Sequence, residues 1–229
     1  MHSWIRLSSP SCLLSESCWD RRALLANTRR TKAAAAIVGA STVFLFLIPR
    51  TYFVAGTFVV TSIMMLSTFA AGGYRGIKPP GAREVAFGLI SASVLYAIFF
   101  FGNEAIRLFP LPGFGTNDQA SIYSLIASPS TPLPLQAGVL LFDSVGYESF
   151  FRGVLQEKMQ PRLGAGAAPV VALLDAGLHL ATFNPLWVAT TFVADLGWGL
   201  TYRYGGRVPA SVTSHLAWDL AIFLVRPIK

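Results

Sequence analysis

The segment Asp143–Gln156 places ionisable side chains inside an otherwise apolar part of the chain. Glu148 and Arg152 lie four residues apart, so on a helix they would share one face. Burying an ion pair costs several kcal/mol of desolvation for each ion. Inside a membrane such groups face the protein interior or a wet cavity, and they usually mark a function. We therefore interpret Glu148 and Arg152 as candidate catalytic residues, with a structural ion pair between helices as the alternative.

Two further apolar segments carry possible partners for this pair. His215 and Asp219 are also four residues apart, a spacing that suits two metal ligands or a carboxylate that orients a catalytic imidazole. His179 lies in a third segment, where it is either a site residue or a core histidine bonded to a carbonyl. These groups could activate a water molecule for hydrolysis, with Glu148 as general base. His179, His215 and Asp219 are the candidate ligands if a divalent metal such as zinc takes part; the cofactor stays open.

The elements that position these residues follow from composition. The chain has 229 residues, of which 53% are hydrophobic and 13% charged, and its mean hydropathy is +0.54. Soluble domains carry about 25% charged residues, so we predict an integral, multi-pass membrane protein in contact with the lipid bilayer. In lipid a backbone must satisfy its own hydrogen bonds, which favours helices. The prediction is an all-α bundle of about seven transmembrane helices, at 33–48, 52–71, 84–101, 135–156, 167–183, 186–202 and 208–225.

The basic residues predict the orientation of this bundle. Thirteen of the 18 Lys and Arg residues lie in the first 32 residues and in alternate loops, and four lie in the other loops or at the chain end. The positive-inside rule then places the N-terminus in the cytoplasm and the C-terminus outside. We expect a disordered basic cytoplasmic tail at 1–32 and a membrane domain at 33–229. A bacterial protein of this kind would lie in the plasma (inner) membrane. Because the net charge of +7 is spread over many loops, no nucleic-acid partner is expected.

Depth estimates indicate that the polar groups converge. At 1.5 Å per helical residue, Glu148 and His215 each lie about 10 Å from the cytoplasmic face, and His179 lies near the midplane at roughly 18 Å. The carboxylate and both histidines are therefore predicted to meet in the inner half of the bilayer. The external loop 102–134 should contain a short helix or an interfacial segment at 120–127 and act as a lid or binding loop. We interpret Trp187, Trp198 and Trp218 as ordinary lipid-facing or packing aromatics.

Four motifs in order resemble those of one protease family: Glu148-x-x-x-Arg152-Gly, His179, Gly197-Trp-Gly-Leu-Thr-Tyr-Arg203 and Ser214-His215-x-x-Trp-Asp219. The chain over about 84–225 is similar to the CPBP family, the CAAX-prenyl-protease and bacteriocin-processing intramembrane proteases, also called Abi. The resemblance implies an all-helical membrane fold, a water-filled cavity open to the cytoplasm, and peptide-bond hydrolysis by a metalloprotease or a glutamic-type protease without metal. It implies catalytic roles for Glu148, Arg152, His179, His215 and Asp219.

Three positions depart from the pattern of that family. Tyr147 stands where the family has its first glutamate, Asp175 where it usually has phenylalanine, and Asp195 where it usually has glycine. A tyrosine ordinarily ionises only near pH 10, so Tyr147 is not a general base at about neutral pH. Glu148, Asp143 or Asp175 would then take that role, or the protein is not a protease. Each of the three aspartates also has a structural or cavity-lining interpretation.

We therefore expect an intramembrane endopeptidase that cleaves a membrane-anchored or C-terminal peptide by Glu/His-activated water. The alternative is a non-proteolytic relative, a membrane scaffold, immunity or regulatory protein, which Tyr147 favours. A proton-coupled transporter is a third hypothesis, and the lack of an internal repeat in the sequence argues against it.

Overall fold

The computed structural model of the protein describes residues 16–73, 79–110, 114–126 and 131–228. Its α-helices are α1 (Glu16–Leu47), α2 (Phe53–Ala70), α3 (Ala82–Leu108), α4 (Thr116–Ile126), α5 (Leu133–Phe150), α6 (Glu157–Leu163), α7 (Ala167–Leu178), α8 (Pro185–Gly205) and α9 (Val208–Asp219). The described residues contain no β-strand. The predicted all-α fold class is confirmed.

Every predicted apolar segment forms a helix, but several boundaries differ. Helix α3 continues to Leu108, so the loop predicted at 102–134 is shorter than expected. This loop contains α4, close to the position at which a short helix was expected. Helix α1 begins at Glu16, so residues 16–32 are helical although disorder was predicted for 1–32. Residues 1–15 lie outside the described residues, and the division at 32/33 stays a prediction.

Five helical stretches in the described ranges are long and apolar enough to cross a membrane. They are Thr28–Leu47, Arg50–Ala70, Ala82–Leu108, Leu133–Thr182 and Val208–Val225. Helix α8 is not among them, and the stretch Leu133–Thr182 includes α5, α6 and α7. The predicted count of seven spans and the cytoplasmic N-terminus stay predictions.

Prolines and glycines set the ends of the helices around the site. Asn184 caps α8, its side-chain oxygen accepting a hydrogen bond from the Trp187 N–H at 3.1 Å, and Pro185 occupies the first turn. Proline is favoured there because the missing N–H would have no helical partner. Gly206 ends α8 with a φ of 80°, and Val208-Pro209 begins α9 after one more residue, Arg207. This short turn holds α8 and α9 side by side.

Two π-helical turns and several close helix–helix contacts also shape the bundle around the site. Helix α5 continues into a π-helical turn at Phe151–Gln156, and α9 continues into another at Leu220–Val225. Such turns are frequent at functional sites. Helix α3 packs along α9, α7 along α8, and α2 along α5. Gly88 allows the α3–α9 contact, because a Cβ there would lie 2.7 Å from the Ala210 carbonyl oxygen. Small residues at such contacts are typical of membrane bundles.

Polar and apolar side chains are arranged as in a membrane protein. Large apolar side chains such as Leu66, Ile90 and Phe101 are exposed on the outer faces of α2 and α3. Ionisable side chains on α5, α7, α8 and α9 are buried inside the bundle. Apolar side chains on the outside and ionisable side chains on the inside fit a protein that is surrounded by lipid and has an internal polar site.

Candidate active site

The centre of the candidate site is a contact between α5 and α9. The Glu148 carboxylate lies 2.8 Å from His215 Nδ1 through Oε1 and 3.1 Å from Arg152 Nε through Oε2. Glu148 and Arg152 are fully buried, and His215 is 5% exposed. Since the glutamate oxygen accepts at Nδ1, this nitrogen carries a proton. Glu148 therefore fixes the orientation of the imidazole, and Arg152 balances the charge of Glu148.

Further groups hold Arg152 and His215 in place. Arg152 Nη1 donates to Gln156 Oε1 at 3.1 Å, and the Gln156 amide donates to the Gly199 carbonyl at 2.8 Å. This chain of contacts ties the π-helical turn to α8. The Trp198 ring stacks on His215 with ring centroids 3.6 Å apart and an interplanar angle of 12°. Sequence reasoning did not assign Trp198 to the site, because nothing local indicates that a helix-α8 indole covers a histidine of α9.

His215 Nε2 faces Asp219 Oδ2 at 3.4 Å, as the spacing of four residues predicts. The imidazole thus lies between two carboxylates, Glu148 on one side and Asp219 on the other. Asp219 is 5% exposed. The arrangement keeps the ring in one plane and favours a positive charge on it, because both neighbours are acceptors when ionised.

The three departures from the family pattern contact one another. The Tyr147 hydroxyl donates to Asp175 Oδ2 and lies 3.2 Å from Asp195 Oδ1. Asp195 also accepts from Arg152 Nη2. Both aspartates are fully buried, and Asp175 Oδ1 and Asp195 Oδ2 have no hydrogen-bond partner among the described residues. Tyr147, Asp175, Asp195 and Arg152 therefore form one network, which the sequence could not reveal because its members come from α5, α7 and α8 and the π-helical turn.

His179 is bonded to the backbone, as one interpretation of the sequence held. Its Nδ1 lies 3.0 Å from the Asp175 carbonyl oxygen, so Nδ1 carries the proton and Nε2 is left as an acceptor in the neutral ring. The ring packs against Phe46 at 4.8 Å and Trp187 at 5.9 Å between centroids. Glu148 and His215 meet as predicted, whereas no hydrogen bond joins His179 to either of them among the described contacts.

A cavity of about 810 Å³ connects these groups. Its polar lining includes Asp143, Tyr147, His179, His215 and Asp219. Glu148, Arg152, Asp175 and Asp195 are fully buried and lie behind this lining. Asp143 Oδ1 accepts a hydrogen bond from Thr61 at 2.7 Å. Among the carboxylates considered as substitutes for the missing glutamate, Asp143 is thus the one at the cavity surface.

The cavity extends towards one end of the bundle. Its lining includes Arg107 at the end of α3, Gln119 and Tyr123 of α4, and Leu186 at the start of α8. The loop-charge pattern assigns this end to the outside, whereas the family resemblance implies a cavity open to the cytoplasm. These two expectations cannot both hold for this cavity. The orientation of the protein in the membrane decides between them.

The arrangement does not fit a bound metal ion. Among the residues that the structure describes, no three His, Cys, Asp or Glu side chains are grouped to hold one. Both nitrogens of His215 face carboxylates, and His179 Nδ1 faces a backbone carbonyl. The candidate ligands His179, His215 and Asp219 are therefore not grouped around one position among these residues.

Comparison with known proteins agrees with the motif order. Residues 129–221 match the family model described as Type II CAAX prenyl endopeptidase Rce1-like. Over these residues the chain is similar to the CAAX-protease family. The predicted CPBP resemblance is confirmed for this region, which contains the predicted site residues and Tyr147, Asp175 and Asp195. No significant match was found among curated proteins or among solved structures. The family consists of integral membrane proteins, and the predicted multi-pass membrane location is confirmed.

Proposed function

We propose that the protein is an intramembrane endopeptidase that hydrolyses a peptide bond in a membrane-anchored or C-terminal peptide. The observation that carries this proposal is the cavity that Asp143, His179, His215 and Asp219 all line. It contains groups for proton transfer and for charge stabilisation, and these four residues lie in the region that matches a protease family. The family description supports a prenylated Cys-aliphatic-aliphatic-X peptide as the first substrate to test.

The residues divide into two roles. His179, whose Nε2 is an acceptor, takes a proton from water while the water oxygen bonds to the carbonyl carbon. The Asp143 carboxylate, which lies at the cavity surface like that of Asp219, orients this water. His215, held between Glu148 and Asp219, supplies a positive charge at the cavity that stabilises through space the negative charge developing on the carbonyl oxygen. The C–N bond then breaks, the proton passes from His179 to the leaving nitrogen, and a carboxylic acid, which keeps the second proton of the water, and an amine leave. Glu148 and Arg152 position His215 instead of contacting the substrate.

The test is hydrolysis of a farnesylated Cys-Val-Ile-Met reporter in membranes that contain the protein. We expect His179→Ala, His215→Ala and Asp143→Asn each to reduce kcat by about 10²-fold or more, as losses of proton-transfer or charge-stabilising groups do. Glu104→Gln is the matched control, because Glu104 also pairs with an arginine, Arg107, but is exposed. Wild-type activity in all three site variants would refute the proposed mechanism.

A non-proteolytic scaffold remains the second candidate, and the Tyr147 contacts favour it. The hydroxyl binds two buried aspartates at the position of the family's first glutamate. The reporter assay separates the two candidates, since a scaffold would bind peptide without releasing the three C-terminal residues.

A further inference from the structure

The cavity mouth holds a short extended segment of the chain itself. After the π-helical turn the backbone leaves helical geometry at Arg226, with a φ of −142° and a ψ of 79°. Ile228 is 8% exposed and its side chain lines the same cavity as His215 and Asp219. The Arg226 N–H still donates to the Ala221 carbonyl at 2.8 Å, and Arg226 is exposed, so Ile228 is the buried residue of this segment at the cavity.

Side chains of α4 satisfy the backbone of this segment on both sides. The Ile228 N–H donates to the Tyr123 hydroxyl at 3.0 Å, and the Ile228 carbonyl accepts from the Gln119 amide. Gln119 also donates to Asn103 Oδ1 of α3 at 3.4 Å, which aligns its amide. Neither contact with Ile228 depends on the side chain at that position. A donor and an acceptor that bracket one residue's backbone, next to an apolar pocket, are the elements of peptide recognition.

Helix α4 is held in place by hydrogen bonds from Asn184. The Asn184 amide donates to the Asp118 carbonyl and to the Ser121 hydroxyl, each at 2.9 Å. Since Asn184 also caps α8, Gln119 and Tyr123 are held relative to the helix that carries Asp195 and Trp198. The two side chains therefore form a preorganised pair, and such a pair binds a peptide at a smaller entropic cost.

We propose that Gln119 and Tyr123 form a subsite that binds the backbone of an extended peptide, and that Arg226–Ile228 occupies this subsite in the present structure. The ligand is a peptide with an aliphatic side chain at the bracketed position, where Ile228 now lies. As substrate recognition, the inference rests on the proposed function. A substrate that uses the subsite displaces Arg226–Ile228, so this segment competes with it.

The test uses the full chain and a fluorescein-labelled peptide, Phe-Leu-Val-Arg-Pro-Ile, which has the sequence of residues 223–228. Ile228→Pro removes the N–H that binds Tyr123, and Ile228→Val is the matched control that keeps it. By fluorescence anisotropy in detergent, we expect Ile228→Pro to lower the Kd of the probe about fivefold or more, the effect of at least one hydrogen bond. Ile228→Val should leave it near the wild-type value.

Two further variants show whether Gln119 and Tyr123 cause the effect. Adding Gln119→Ala and Tyr123→Phe to Ile228→Pro should return the Kd to the wild-type value or above. If Ile228→Pro does not fold, Ile228→Ala weakens the segment more mildly and should shift the Kd in the same direction. Equal Kd values in wild type and the folded variant, or a gain that survives the loss of Gln119 and Tyr123, would overturn the inference. Because the assay reads binding, a protein that binds the probe but cleaves no reporter refutes only the proposed function.

Discussion

At the scale of single residues, the site is defined by which carboxylates reach the cavity. Asp143 lines it, whereas Glu148, Asp175 and Asp195 are fully buried behind it. A carboxylate that touches neither water nor substrate can still act through a partner, and Glu148 does so through His215. This distinction changes the expected effect of each substitution.

Arg152 is the residue whose loss should cost the most stability. It is the buried cation that contacts both Glu148 and Asp195. Arg152→Ala leaves Asp195 without its counter-ion and Glu148 with His215 alone, and removal of one partner of a buried pair costs about 3–5 kcal/mol. The exposed pair Arg107–Glu104 provides the control, with about 1 kcal/mol or less expected for Arg107→Ala. Unfolding free energies in detergent would compare them, and equal losses would contradict the prediction.

Tyr147→Glu is expected to destabilise the protein although it introduces the glutamate that the family resemblance implies at this position. The new carboxylate would lie against Asp175 and Asp195, which already face Tyr147. An uncompensated buried charge costs about 3 kcal/mol or more. Tyr147→Phe removes only the hydroxyl and should cost less.

Adding Asp195→Asn to Tyr147→Glu should recover part of the loss, because one carboxylate is removed. Thermal melting of the single and double variants measures this coupling. A single Tyr147→Glu variant as stable as wild type would show that the network tolerates a further charge.

At the scale of elements, the helices are held by small residues at crossing points. Gly88 of α3 lies against α9, where a Cβ would meet the Ala210 carbonyl at 2.7 Å, whereas a Cβ at Gly102 of the same helix would meet nothing within 4 Å. We expect Gly88→Val to lower the unfolding free energy by about 1–3 kcal/mol relative to Gly102→Val, the usual cost of overpacking. Loss of ellipticity in SDS would measure the difference, and matching values would contradict it.

The helices could be predicted from the sequence, but their special turns could not. Apolar runs of membrane length are local signals, so the segments from 33–48 to 208–225 were found. The i, i+4 spacings of Glu148–Arg152 and His215–Asp219 predicted contacts that the structure contains. The π-helical turns, helix α6 and the Tyr147 network depend on tertiary contacts, and a single sequence has no signal for them.

At the scale of the whole molecule, the side of the membrane to which the cavity opens can be measured. Asn103 lies at the cavity mouth, and Arg162 lies in α6 at the opposite, more basic end. In a background with Cys12→Ser and Cys18→Ser, the loop charges predict that Asn103→Cys reacts with an impermeant maleimide from outside and Arg162→Cys only after permeabilisation. The reverse result would show that the charge-derived orientation is wrong and that the cavity opens to the cytoplasm.

The stacking of Trp198 on His215 also gives the molecule an optical property. An indole in van der Waals contact with an imidazole, here 3.6 Å between ring centroids, transfers its excited-state electron readily to the protonated ring and loses fluorescence. The emission of Trp198 should therefore report the protonation of His215 without any added dye. With the other tryptophans replaced by phenylalanine, the fluorescence intensity of the protein would follow the protonation of His215 directly.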